Sequence, residues 1–220
     1  MLREIKEFRL QPLVELHSGK IIAHEILSSV INKDPEQWFS SLSKETVFSL
    51  FLWQAEYALT LSGIYWLNLP VNIFCDVNKV NEILKIKHEN RLVLEIQDPK
   101  MLLNYSRNDI YAFEKGIYLL RQAEWIIWLD DITSSLISLV GKMSLNVDGI
   151  KIDRQEIRYP KTINTLISRA FSISPHVLVE GIETVGDKQQ MMLTKATYGQ
   201  GFLWPEKKVH MAVPPRFRES

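Results

Sequence analysis

The sequence predicts an α/β fold, a modified TIM (β/α)8 barrel whose first strand runs antiparallel to its neighbours. Two observations carry this. Eight short apolar runs recur along the chain, and from the third onward they alternate with stretches of helical periodicity. The first two runs are joined only by His17-Ser18-Gly19-Lys20, with Gly19 free to make a turn, so they form a hairpin. Eight strands with helical crossovers close into a barrel more readily than they spread into an open sheet. A doubly wound open sheet is the alternative, but its glycine-rich phosphate loop, GxGxxG or GxxxxGKS/T, does not occur.

The strand runs cover 8–16, 21–27, 64–71, 91–97, 125–132, 147–152, 176–182 and 199–204. Helical patterns fill 35–61, 77–87, 110–124, 134–142, 161–172 and 185–194. Asp34 before Pro35 fits a helix start with proline in the first position. Ile110, Phe113, Ile117 and Leu120 recur at helical spacing, and Thr184 with Asp187 makes a capping-box pattern. The tail, 214–220, reads as a frayed end. One domain is expected over 1–220, standing alone with no sensory domain attached. Hydrophobic content of 46% and charged content of 24% suit a soluble globular protein. A net charge of zero gives no ground for nonspecific nucleic-acid binding. No apolar run has membrane-spanning length, and the charged start MLREIKEFRL lacks a signal-peptide core. The single cysteine, Cys75, excludes an internal disulfide and CxxC metal sites, which fits a cytoplasmic location.

The placement of acids is more informative. Glu25 sits in IIAHEIL, Glu95 in RLVLEIQD, Asp130 and Asp131 in WIIWLDDI, and Glu180 in HVLVEGIE. Lys151 in VDGIKID and Asn68 in YWLNLP occupy similar positions. Buried strands do not tolerate lone charges, and a barrel of this kind gathers the C-terminal strand ends into its active site. For any single acid a helix cap or a surface ion pair is the simpler account. Jointly, the placements predict one shared pocket. Five carboxylates against one lysine leave four uncompensated charges, which two divalent cations would neutralise. Oxygen ligands without cysteine or histidine favour Mg²⁺ or Mn²⁺ over zinc. Two such ions suit in-line attack on a phosphodiester, with Lys151 orienting water or stabilising phosphoryl charge. Spacing alone leaves structural ion pairs as an open alternative.

From Gln11 to Pro205 the chain resembles the EAL domain, the phosphodiesterase domain that opens cyclic di-GMP to linear pGpG. Gln11-Pro12-Leu13-Val14 is similar to the family's QPIV opening, and Glu25-Ile26-Leu27 stands where EAL stands. Asn68-Leu69, Leu94-Glu95-Ile96, Asp130-Asp131, Lys151-Ile152-Asp153, Glu180-Gly181-Ile182-Glu183 and Gln200-Gly201-Phe202 resemble the motifs that follow, in order. The resemblance implies that Glu25, Asn68, Glu95 and Asp130 hold one metal. Asp130 would bridge to a second, served with the attacking water by Asp131 and Glu180. Lys151, Glu180 and Glu25 would be catalytic. Gln11, Asp153, Gln200 and Glu183 would contact or support the substrate. It also implies a barrel with a reversed first strand and a homodimer.

The departures point elsewhere. Thr133 and Ser135 replace two loop glycines after the Asp pair, so that loop is expected to take another shape. Ser29 replaces an arginine that contacts phosphate, Asp98 replaces a longer acid, and LWPEKKV follows QGF in place of the usual Arg-Pro. A second expectation therefore stands beside the enzyme: a member without turnover that regulates a partner, such as a transcriptional regulator, by direct contact. Five histidines show no metal spacing, and His24 is expected on the strand face opposite Glu25. Trp66, Trp125 and Trp128 are expected to pack against helices, Trp38 and Trp53 to lie in the core or on a dimer face, and Trp204 is a candidate for stacking on guanine.

Overall fold

The computed structural model describes residues 2–143, 145–210 and 214; most of the tail expected to fray lies outside them. The strands are β1 (Ile5–Glu15), β2 (Ile21–Val30), β3 (Tyr65–Pro70), β4 (Leu92–Gln97), β5 (Ile126–Ile132), β6 (Gly149–Ile152), β7 (Val177–Val179), β8 (Tyr198–Gly199) and β9 (Lys207–His210). The helices are α1 (Pro35–Ser40), α2 (Lys44–Thr60), α3 (Val71–Phe74), α4 (Val77–Ile83), α5 (Arg107–Gln122), α6 (Ile137–Val140), α7 (Pro160–Ile173) and α8 (Val185–Met192). Strands β2 through β8 pair in chain order, and β1 closes the ring by pairing antiparallel with both β2 and β8. The barrel with a reversed first strand is thus observed. A ninth strand, β9, hydrogen-bonds to the outer half of β1, pairing Leu10 with Lys207 and Glu7 with His210. Among the described residues no helix is long and apolar enough to cross a membrane.

Several elements depart from the expected bounds. The single helix over 35–61 is two helices, because Ser43 takes an extended backbone and its hydroxyl accepts from the Thr46 N–H, starting α2 afresh. The helix over 134–142 shrinks to the four residues of α6. The eighth strand is only Tyr198–Gly199, and 201–204 turns instead of extending. Asp34 caps α1 with Pro35 in the first turn, and Thr184 and Asp187 close a capping box on α8, as expected.

The interior of the barrel follows from the two-residue period of a strand. Leu13, Ala23, Trp66, Val93, Trp128 and Leu178 form an apolar cluster separate from the main core. They come from six strands and meet inside the ring, plugging it. The Trp66 and Trp128 rings pack within it at a tilt, with centroids 4.5 Å apart. They therefore fill the barrel rather than pack against helices, which corrects the expectation; fully apolar strands give no signal of which face points inward. Trp125 does lie on the outer side, buried against the His88 ring at 4.3 Å. Trp38 and Trp53 are buried in the core between helices and sheet.

Gly149 makes room for the tryptophan plug. A Cβ there would sit 2.3 Å from the Trp128 ring, at a contact no side chain sustains. Gly149→Ala is expected to cost about 1–3 kcal/mol by overpacking. Urea denaturation measures it, and an unchanged midpoint would mean that the ring yields freely.

Candidate functional site

Two residues beyond each apolar plug residue, on the same inward face, the strand or its immediate end carries a polar group. Ala23 leads to Glu25, Trp66 to Asn68, Val93 to Glu95, Trp128 to Asp130, Gly149 to Lys151, and Leu178 to Glu180. Gln200 follows Tyr198 in the same way. On reversed β1 the order inverts, so Gln11 precedes Leu13 and pairs across to Glu25. The period that builds the plug thus also builds a polar ring above it, at the C-terminal mouth of the parallel strands.

Lys151 is the hub. Its Nζ lies 2.8 Å from Glu95, 2.8 Å from Glu180, 3.2 Å from Asp130 and 3.3 Å from Glu25. Carboxyls from three strands and from the end of a fourth can meet one atom of a fifth only inside the ring. Lys151 and Glu95 are fully buried. Glu25 is anchored further: Asn68 Nδ2 donates to its Oε1 at 2.6 Å, and Gln200 Nε2 donates to its Oε2 at 2.7 Å. Asp131 joins through a left-handed backbone (φ +53°), and its N–H donates to Asp130 Oδ1. Asp130, Asp131 and Glu180 each bring one oxygen within 4.8 Å of the others. Acids and amides that lie on separate segments of the sequence are therefore brought together around the lysine.

The electrostatics follow from burial and like charge. Burial raises the Glu180 carboxyl to about 8, aided by the nearby charges of Asp130 and Glu25 and opposed by Lys151. Burial beside Asp130 raises Asp131 to about 7. Burial likewise pushes Glu95 well up and Asp130 up. Glu25 goes the other way: burial is outweighed by the Lys151 charge and by the amide donors of Asn68 and Gln200. Burial would favour neutral Lys151, but its surrounding carboxylates hold its pKa well above the usual lysine value.

The donor set fits hard divalent cations. Both Glu95 oxygens and Asn68 Oδ1 are buried and accept no hydrogen bond from the described residues. The Lys151 contact to Glu95 is an ion pair without hydrogen-bond geometry. Unsatisfied buried oxygens are costly unless a cation meets them, and oxygen-only ligation suits Mg²⁺ or Mn²⁺.

A cleft of about 200 Å³ opens directly over the ring. Gln11, Glu180 and Gln200 line both. Glu183 lines the cleft from an exposed position, away from the lysine hub. Asp153 does not line it; its Oδ1 accepts the Gln155 N–H at 2.6 Å and shapes the turn after β6. Four further lining residues went unforeseen: Arg9, Arg154, Phe202 and Glu206. For Arg9 the signal was present, since Arg9, Gln11 and Leu13 share the inward period of β1. Arg154 and Phe202 sit on turns and Glu206 in the irregular stretch just before β9, where no period speaks. Gly181, with φ +76°, lets the chain turn after Glu180 against the Arg154 backbone. Trp204 is not among the cleft residues; it lies partly buried against the core. His24 faces away from Glu25 and stacks on Tyr65 at 6.2 Å.

The loop after Asp131 carries no positive φ at Thr133 or Ser135. Instead the Ser134 N–H and hydroxyl both donate to the Glu156 carboxylate, at 2.9 and 2.7 Å.

A family model described as the EAL domain matches residues 3–206. No curated protein matches the chain. Among solved structures, an EAL domain protein from Listeria monocytogenes EGD-e aligns with a TM-score of 0.72 at 18% identity, over 93% of this chain and 89% of that one. The PaMucR phosphodiesterase in its c-di-GMP complex aligns at 0.67 and 20% identity, over 94% and 93%. The EAL-like domain protein YdiV aligns at 0.68 and 18% identity, over 94% of each. At these identities the likeness is one of fold.

Proposed function

The chain belongs to the EAL domain family, and from that membership we propose that it is a cyclic di-GMP phosphodiesterase, hydrolysing the cyclic dinucleotide to linear pGpG with two Mg²⁺ or Mn²⁺ ions. The observation that supports this most is the ring itself: Glu95 Oε2 and Asn68 Oδ1, buried with no hydrogen-bond partner among the described residues, stand among four carboxyls that share one lysine. The PaMucR structure, a phosphodiesterase of the same fold with c-di-GMP bound, lends the substrate class.

In this reading Glu25, Asn68, Glu95 and Asp130 would hold one ion, and Asp131 and Glu180, with Asp130, would hold the other. When bound, the pair supplies Lewis acidity to the phosphodiester and acidifies the attacking water. Glu180, shared by ring and cleft, and Asp131 lie where a carboxylate oxygen could take the attacking water's proton. Lys151 opposes the burial that raises Glu95, Asp130 and Glu180 and keeps all four neighbouring carboxyls aimed at one point, and Gln200 with Asn68 fixes Glu25. Gln11, Glu183 and Asp153 act on the substrate side, the first two from the cleft and Asp153 by shaping the turn that carries Arg154.

Purified protein with Mn²⁺ and cyclic di-GMP should release pGpG, read by chromatography. Glu25→Ala, which removes an oxygen ligand and the acceptor of two amides, should lower turnover at least about 10³-fold. Wild-type protein with no product in either metal would end the enzyme reading. The loop after Asp131 favours a second reading, regulation of a protein partner without turnover, because Ser134 is fastened to Glu156 beside the ring. A cyclic di-GMP affinity without product would support it.

A further inference from the structure

We propose that Arg9 is the phosphate-binding side chain of this cleft and sets its affinity for the dinucleotide, an inference that rests on the phosphodiesterase reading. A phosphodiester entering the cleft approaches an acidic ring past Glu183 and Glu206, so a cation must offset the repulsion at the wall. Among the described lining residues the cations are Arg9 and Arg154. Arg154 is exposed on the turn after β6. Arg9 is built in. It stands on the inward face of β1, two residues outward of Gln11, and pairs across the ladder with Leu27, another lining residue.

Its guanidinium is also oriented and only partly spent. Nη1 lies 3.2 Å from both carboxylate oxygens of Glu206, while Nε is buried with no hydrogen-bond partner among the described residues. Held at Nη1 alone, the guanidinium keeps its charge and its Nη2 donors for an anion at the cleft wall, and a planar, always-charged guanidinium suits phosphate oxygens. Glu206 is carried to this place by β9, whose pairing with β1 begins at Lys207, the next residue. The edge strand outside the barrel ring therefore holds the carboxylate that steadies Arg9.

Calorimetry with cyclic di-GMP and Ca²⁺ tests this on Arg9→Ala, Arg9→Lys and Glu206→Gln. Loss of the charged fork is expected to weaken binding about 10–100-fold in Arg9→Ala, with lysine recovering only part of it. In turnover the loss should fall mainly on KM, with kcat changed less. Glu206→Gln breaks the same ion pair but keeps the fork, so its affinity should stay within about threefold of wild type. Equal losses in Arg9→Ala and Glu206→Gln would make Arg9 merely structural and overturn the proposal, as would unchanged binding in Arg9→Ala with an unchanged melting temperature. If wild type binds no cyclic di-GMP, the phosphodiesterase reading fails separately. Inorganic pyrophosphate then serves as the probe: Arg9-dependent binding sustains the anion site, and no binding removes it.

Discussion

Lys151→Met is expected to lower the unfolding free energy by about 3–5 kcal/mol at pH 7.5 in the presence of a chelator. The size comes from what stays behind. Methionine fills much the same volume, so packing changes little, but Glu25, Glu95, Asp130 and Glu180 lose the cation that all four approach within 3.3 Å. Removing one partner from a buried pair leaves an uncompensated charge; here it removes the one cation shared by four buried carboxyls, each of which must then protonate or stay unpaired. The sign of the pH response follows. Lys151 has its folded-state pKa raised, so its contribution is complete below the ordinary lysine value and is lost only as pH climbs through the raised one. Between pH 5 and 9 the wild type keeps it in full. In the variant the carboxyls must hold protons to stay buried, so its deficit should shrink toward pH 5 and widen toward pH 9. Millimolar Mn²⁺ should restore part of the loss, since ions replace the missing charge on the same oxygens. Urea denaturation at three pH values reads all of this. A deficit below about 1 kcal/mol, flat in pH, would mean that the lysine is not the counter-charge of the ring.

The barrel and its ring were legible in the sequence for the same reason. A strand that is apolar except for a polar group near its end must turn that group toward something, and Glu25, Asn68, Glu95, Asp130, Lys151 and Glu180 all sit this way. The reversed first strand was legible in the four residues between two runs, too short for a crossover. What stayed hidden had no period or no contrast. Trp66 and Trp128 sit in runs apolar on both faces, so their inward direction waits on closure of the ring. The break before α2 turned on one serine inside an otherwise helical pattern, where local hydrogen bonding by Ser43 outweighed the propensity around it. Lys207–His210 reads as polar chain, yet it pairs because β1 is long enough to leave its outer half open. Arg9 was legible in principle, since it shares the inward period of Gln11 and Leu13, but its ion pair with Glu206, far along the chain, was not.

Without metal, the wild-type protein should be more stable at pH 6 than at pH 8.5, and millimolar Mn²⁺ should reverse that order. Glu180 titrates at about 8 and Asp131 at about 7, both lifted first by burial, with Glu95 and Asp130 moved in the same direction. An unfolded chain releases these protons near pH 4, so between about pH 4 and 8 the folded state binds more protons than the unfolded one. Stability therefore falls as pH rises through that window. Glu25, with its pKa lowered, contributes in the opposite sense, but its share is already complete above pH 5. Each unit of displacement is worth about 1.4 kcal/mol, and solvent trims the figure because the Glu180 side chain is 20% exposed. A drop of about 3–4 kcal/mol, or about 6–16 °C in melting temperature, is the expected scale. In the phosphodiesterase reading divalent ions would take the same oxygens once the protons leave, so their stabilisation should grow with pH. Melting curves at both pH values, with chelator and with Mn²⁺, decide the matter. An equal metal shift at pH 6 and 8.5 would mean that protons and ions do not contend for these carboxylates, and the ring would then be an ion-pair network built for stability alone.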